Sequence, residues 1–174
     1  MNIKKLITKA KTLPNCIVLP PSRLPQVENN LAIPDDVKEF YSLCGGMSLF
    51  EGAAYAIKIV KPEEVVFANP VIIGEDIINA EIEKGNYDSE ISRDWFIIAD
   101  LYNSDYAVID FNKERMGQCY KAFWDSYPEM GGTPIIAKSF TELLEHFINN
   151  GGEYWYFLKD DFVPYGDAYD GIAD

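Results

Sequence analysis

One histidine, three cysteines and 15 basic residues in a chain of 174 are its scarcities, and each closes off a class of function. With His146 as the sole imidazole, a Ser-His or Cys-His pair has one place to be built, and no G-x-S-x-G elbow accompanies it. Cys16, Cys44 and Cys119 form no C-x-x-C pair and have no neighbouring histidines, so they read as reduced thiols. The phosphate-binding patterns G-x-x-x-x-G-K-[ST] and G-x-G-x-x-G are missing. No apolar run approaches the roughly 18 residues of a membrane-spanning helix. The first residues, MNIKKLITKAKTLPNCIVLPPSR, lack the apolar core and cleavage site of a signal peptide. The expected location is cytoplasmic.

Acids are abundant: 28 Asp and Glu give a formal net charge of −13. Such a surface repels nucleic acid and anionic membranes and favours fast, salt-sensitive encounter with a basic protein. So many carboxylates also permit so many acid-base pairs that abundance carries no information about catalysis. The length suits one domain spanning 1–174, and 48% apolar residues suffice for one core.

Ile3, Leu6, Ile7 and Ala10 fall at helical spacing within residues 2–13. Four prolines in LPNCIVLPPSRLP then require extended chain, and QVENNLA is expected to add a helical turn. A second helix follows Pro34, with Asp35 and Asp36 as N-cap candidates, Glu39 at the capping-box position, and a stripe of Val37, Phe40, Tyr41 and Cys44. Gly45 and Gly46 come after this helix. A phosphate cradle needs its glycines ahead of one, where free N–H groups point at the anion. The pair therefore reads as a helix stop, with Gly45 expected in the left-handed region.

MSLF and YAIKIV read as strands, KPEEVVFANPVII as a helical turn and loop, and residues 74–94 as a polar, mobile excursion. WFIIADLYNSDYAVIDF predicts a hairpin turning at Asn103-Ser104-Asp105, and GQCYKAFWDSY a further strand. Strands that follow one another without intervening helices imply an antiparallel meander and an α+β fold. Ser139 opens the last helix, with Glu142 completing a capping box and Phe140, Leu143, Leu144, Phe147 and Ile148 on its apolar face; Asn149 to Gly152 stop it. His146 lies off the centre of that face and reads as solvated.

The aromatic and acidic stretch EYWYFLKDDFVPYGDAYD, within residues 153–174, is the other notable feature. Residues 153–158 are expected to form a strand or turn against the sheet, while past Pro164 a sheet role is not expected. Tyrosine among aspartates suits a protein-binding surface, since rings bury large area at small entropic cost and carboxylates pair with Lys or Arg. The candidates are Asp160, Asp161, Tyr165, Asp167 and Tyr169, with Asp125 and Glu129 in the loop before Gly131-Gly132; a frayed acidic tail is the competing reading. Asp167, Asp170 and Asp174 lack EF-hand spacing, so neither a metal nor a cofactor is implied.

The helix IPDDVKEFYSLCGG, the strand region opening WFIIADLYNSDYAVIDF and the late SFTELLEHFI helix, in that order, resemble the SUKH superfamily. This group includes fungal cell-wall assembly regulators of the Smi/Knr type, Syd, and bacterial immunity proteins that neutralise toxins. The resemblance covers about residues 27–150. It implies a central, mostly antiparallel sheet flanked by helices and a non-catalytic role in binding protein. An immunity protein facing a basic toxin, a nuclease among the candidates, is the leading implication. A regulatory scaffold with an endogenous partner, or a small-ligand or carboxylate-based hydrolytic module, are the alternatives. The 74–94 segment and the extension after Gly152 depart from the pattern and are where specificity is expected.

Overall fold

A computed structural model describes residues 1–28 and 30–172. Among the described residues seven short strands form one sheet in sequence order: β1 Ile17–Val18, β2 Met47–Leu49, β3 Ile57–Ile59, β4 Trp95–Asp100, β5 Asp105–Asp110, β6 Cys119–Phe123 and β7 Ile135–Ala137. Every neighbouring pair is antiparallel, so the meander is as expected. Among the described residues there are four α-helices: α1 Ile3–Thr12, α2 Asp35–Leu43, α3 Glu75–Glu83 and α4 Phe140–Asn150. The result is a single α+β domain.

Helices α1, α2 and α4 bury the stripes their spacing defines, and the Phe40 and Phe140 rings meet at 5.0 Å between α2 and α4. Two buried tyrosines tie this layer to the sheet. Tyr41 donates its hydroxyl to the Val60 carbonyl at 2.7 Å, and Tyr156 to that of Ile136 at 2.7 Å. Each hydroxyl satisfies a buried backbone acceptor while its ring fills the core.

The start and end of α2 differ from expectation. Pro34 is the N-cap and no side chain caps the helix, so the Asp36–Glu39 box does not form. Asp36 sits one turn-step too far in, and its Oδ2 instead accepts from the Thr141 N–H at 2.8 Å and hydroxyl at 2.9 Å, in the first turn of α4. Gly45 lies outside the left-handed region; Gly46 has φ +110°. Cys44 is already extended, and Gly45 and Gly46 exchange backbone bonds of 3.0 Å with Leu19. A Cβ on Gly45 would stand 2.4 Å from the Pro20 carbonyl oxygen, and one on Gly46 2.8 Å from that of Ile59. The pair is structural because other backbone passes close by, not because Gly45 closes a helix.

Four further expectations are corrected. Residues 74–94 carry defined secondary structure, α3 and then a 3-10 turn at Ile91–Asp94, and are entered through a π-helical turn at Pro70–Gly74. Buried Asn69 fastens them, donating to Tyr87 Oη at 3.0 Å and Ser92 Oγ at 2.8 Å. Around QVENNLA the described residues carry one local backbone bond, Leu31 N–H to the Glu28 carbonyl at 3.0 Å, and none of them is helical. The β4–β5 turn uses left-handed Tyr102, Asn103 and Ser104, and Asp105 already belongs to β5. The tail past Pro164 pairs with the sheet, Ile135 and Gly166 bonding at 2.8 Å and Ala168 and Thr133 at 2.9 Å, so it covers the outer edge of β7. Pro164 stands just before the pairing begins, and Pro134, which bridges to Asp167, needs no N–H of its own there.

Candidate protein-binding surface

A buried polar joint closes the Trp95–Asp110 end of the β4–β5 pair, the end opposite the one from which the β6–β7 loop leaves the sheet. Asp110 ends β5 directly opposite Trp95 and is fully buried. Its Oδ2 accepts from Trp95 Nε1 at 2.8 Å, Arg115 Nε at 2.9 Å and the Tyr120 hydroxyl at 2.9 Å, while Oδ1 accepts from the Asn112 N–H at 2.9 Å. Burial pushes its carboxyl upward, against the opposing pull of the Asn112 N–H and the Arg115 guanidinium. With both oxygens occupied and no solvent access, Asp110 is a structural joint. The sequence signal for it, an aspartate closing an apolar strand, was not among the candidate site residues.

The loop between β6 and β7 is stiffened by its own backbone. The Ser126 and Tyr127 N–H groups donate to the Phe123 carbonyl at 3.1 and 2.9 Å, Gly132 N–H to the Glu129 carbonyl at 3.0 Å, and the buried Tyr127 hydroxyl to Asn69 Oδ1. On this base stand the exposed Asp125 and Glu129. Beside them are two apolar side chains that sequence reasoning missed: Trp124, 66% exposed, and Met130, 63% exposed. Their exposure is not readable from a pattern in which aromatic residues default to core.

The tail residues divide by role. Asp160 and Asp161 are exposed after the 3-10 turn Tyr156–Leu158. Tyr165 is exposed, donates its hydroxyl to Glu142 Oε1, and carries Lys138 Nζ over its ring at 4.4 Å. Asp167 has both oxygens engaged, by Thr133 N–H at 2.9 Å and Tyr169 N–H at 3.1 Å. Tyr169 donates to Glu90 Oε1 at 2.7 Å and packs its ring 6.0 Å from that of Trp95. Asp167 and Tyr169 thus pin the tail to the loop and to the 70–94 segment. Phe123 and Phe157, with centroids 5.9 Å apart, bring the base of the loop against the base of the tail.

His146 is half-exposed, as its position off the apolar stripe suggested, but it stacks on Tyr156 at 4.2 Å with Nε2 3.8 Å from Glu142 Oε1. Burial pushes the Cys44 thiol up to about 11 and raises that of Cys119, which disfavours the nucleophilic thiolate. Among the described residues no group of three His, Cys, Asp or Glu side chains is placed to hold a metal ion. No helix among them is long and apolar enough to cross a membrane. The exposed side chains of the loop and tail are acidic and partly apolar: Asp125, Glu129, Asp160 and Asp161 with Trp124, Met130 and Tyr165.

The SMI1 / KNR4 family (SUKH-1) model matches residues 22–146. The chain belongs to that family. It is also 40% identical over 172 residues to "Immunity protein YokJ" of Bacillus subtilis (strain 168), covering 99% of this chain and 98% of that one. No solved structure gives a significant match. The family match, like the resemblance read from the sequence, stops short of the tail. The alignment with the Bacillus protein runs through both the tail and the 70–94 segment, so neither is private to this chain.

Proposed function

We propose that this chain is an immunity protein that binds and neutralises a cognate toxin in the cytoplasm, without catalysis of its own. The observation that carries the reading is the 40% identity to an immunity protein across 99% of the chain. The net charge of −13 supports a basic partner surface, such as the active-site cleft of a nuclease. We place Asp125 and Glu129, flanked by Trp124 and Met130, among the contacts, because a stiff loop offers rings and charges at little ordering cost. Asp160, Asp161 and Tyr165 are the tail contacts, and Asp167 and Tyr169 act by fixing that tail in place.

The test is survival. The immunity reading expects a toxin gene adjoining this one; cells expressing the C-terminal domain of that toxin should die without the chain and live with it, and the two purified proteins should form a stable complex. Association should slow steeply as salt rises. Absence of protection and of a complex would refute the immunity reading, whereas protection with a salt-independent rate would remove only the electrostatic part.

A further inference from the structure

Helix α3 buries a single side chain, Ile78, although it holds three isoleucines. Ile77 is 55% and Ile82 53% exposed. The helix is a ridge between two grooves, and Ile78 forms the base of both. A cleft of about 410 Å³ runs along the Ile82 side, walled by Leu31 and Phe67 and rimmed by Glu28 and Glu75. A smaller one of about 170 Å³ runs along the Ile77 side and reaches Pro128 in the β6–β7 loop, making it continuous with the surface described above. Single exposed isoleucines need no explanation, but two on one short helix, each leaning into a groove, form a patch of the kind that marks contact sites.

Charge selects the occupant. Residues 75–94 hold seven acids against Lys84 and Arg93. Arg93 is the only cation among the described residues lining the larger groove, and it is held 3.4 Å from Asp88 and 3.8 Å from Asp94. Nucleic acid and anionic lipid are repelled by such a rim. A second copy of this chain would set acids against acids.

We infer that α3 and its two grooves are a docking surface for a basic protein, whose apolar side chains flanked by lysine or arginine fill the grooves with their charges on the acidic rims. Lysine and arginine suit the geometry, since their aliphatic stems pack on Ile78, Ile82 and Phe67 while their heads reach Glu28 and Glu75. This rests on the toxin-binding reading, and the partner is then the toxin domain itself.

The experiment measures binding of the toxin domain encoded beside the gene to the full chain, to Ile77→Ser/Ile82→Ser, to Ile77→Leu/Ile82→Leu, and to Glu28→Gln/Glu75→Gln. The serine pair should weaken binding at least about thirtyfold, chiefly through dissociation, while the leucine pair stays within about threefold of wild type. The glutamine pair should slow association severalfold and flatten its salt dependence. Circular dichroism and Tm establish that the serine pair is folded. Wild-type binding with an unchanged serine pair overturns the docking surface and leaves the immunity reading intact, whereas no binding by folded wild type removes both. Self-association of wild type that the serine pair abolishes, with toxin binding untouched, assigns the patch to a second copy and likewise overturns the inference.

Discussion

Helices α4 and α3 are of similar length and both rich in large apolar residues, yet they stand in opposite relations to the core. The first turn of α4 is locked from three sides: Ser139 Oγ accepts from the Glu142 N–H, Glu142 Oε2 from that of Lys138, and Asp36 from Thr141. It ends on left-handed Gly151 and buries Phe140, Leu143, Leu144, Phe147 and Ile148. Helix α3 begins at Gly74 with φ +122° and no side-chain cap, and buries Ile78 alone. Apolar content is therefore not burial. Spacing at 3.6 residues gathers the apolar residues of α4 on one face, while Ile77 and Ile82 flank Ile78 on opposite shoulders of α3.

The contrast is broken most severely in the core of α4. Phe147→Ala removes a fully buried ring and should cost about 3–5 kcal/mol in a denaturant titration. A loss under about 1 kcal/mol would mean that α4 is not the anchor its burial indicates. Next come the glycines. Gly46→Val combines a forbidden φ with a backbone clash and should cost about 2 kcal/mol or more. Gly85, which follows α3 with φ +76° and open space around it, should lose only about 1 kcal/mol on mutation to alanine. Gly45→Ala is diagnostic, since its cost comes entirely from the approach of Pro20.

Alkaline titration sharpens the same contrast. Burial raises the pKa of Tyr41, Tyr120, Tyr127 and Tyr156. A folded pKa above the unfolded value of about 10 means that the native state holds these protons more tightly. Their stabilisation is complete below that value and is lost as pH rises from it toward the folded values, by about 1.4 kcal/mol per pH unit for each group. The share of tyrosinate absorbance that comes from these four rings should therefore appear together with unfolding above pH ~10, separate from that of exposed rings such as Tyr102 and Tyr154. Gradual ionisation of these four in a folded chain would contradict their burial.

At the helix starts the effects shrink. Asp36→Ala deletes two hydrogen bonds that order the first turn of α4 and should cost about 1–2 kcal/mol by thermal unfolding. Asp76→Ala, in the exposed first turn of α3, should cost less than about 0.5 kcal/mol. Equal losses would place the two helices on the same footing.

Periodicity and strand order made α1, α2, α4 and the meander legible, because each stripe or alternation reports its own burial. Long-range partners were not legible. Asp36 reads as a local cap because Thr141 is 105 residues away, and Gly45 reads as a helix stop because Pro20 belongs to another segment. The tail was misjudged for the same reason: its acceptors on Thr133 and Ile135 exist only once β7 is in place. At the candidate surface, charge singled out Asp125 and Glu129 as candidates, and both are exposed, but it gave no sign that Trp124 and Met130 stand outside or that Tyr169 is tied to Glu90.

The smallest expected effect is the most informative about α3. Ile77→Ala and Ile82→Ala truncate side chains that are already more than half in water, so little apolar area returns to solvent and no cavity opens. Alanine is also the better helix former, by a few tenths of a kcal/mol. Stability of the double variant should stay within about 0.5 kcal/mol of wild type, with Tm shifted by no more than a few degrees. A loss above about 2 kcal/mol would show that the isoleucines belong to the core after all, and α3 would become a second α4. No loss leaves two large apolar side chains that folding does not require, and their presence then has to be explained by something outside this chain.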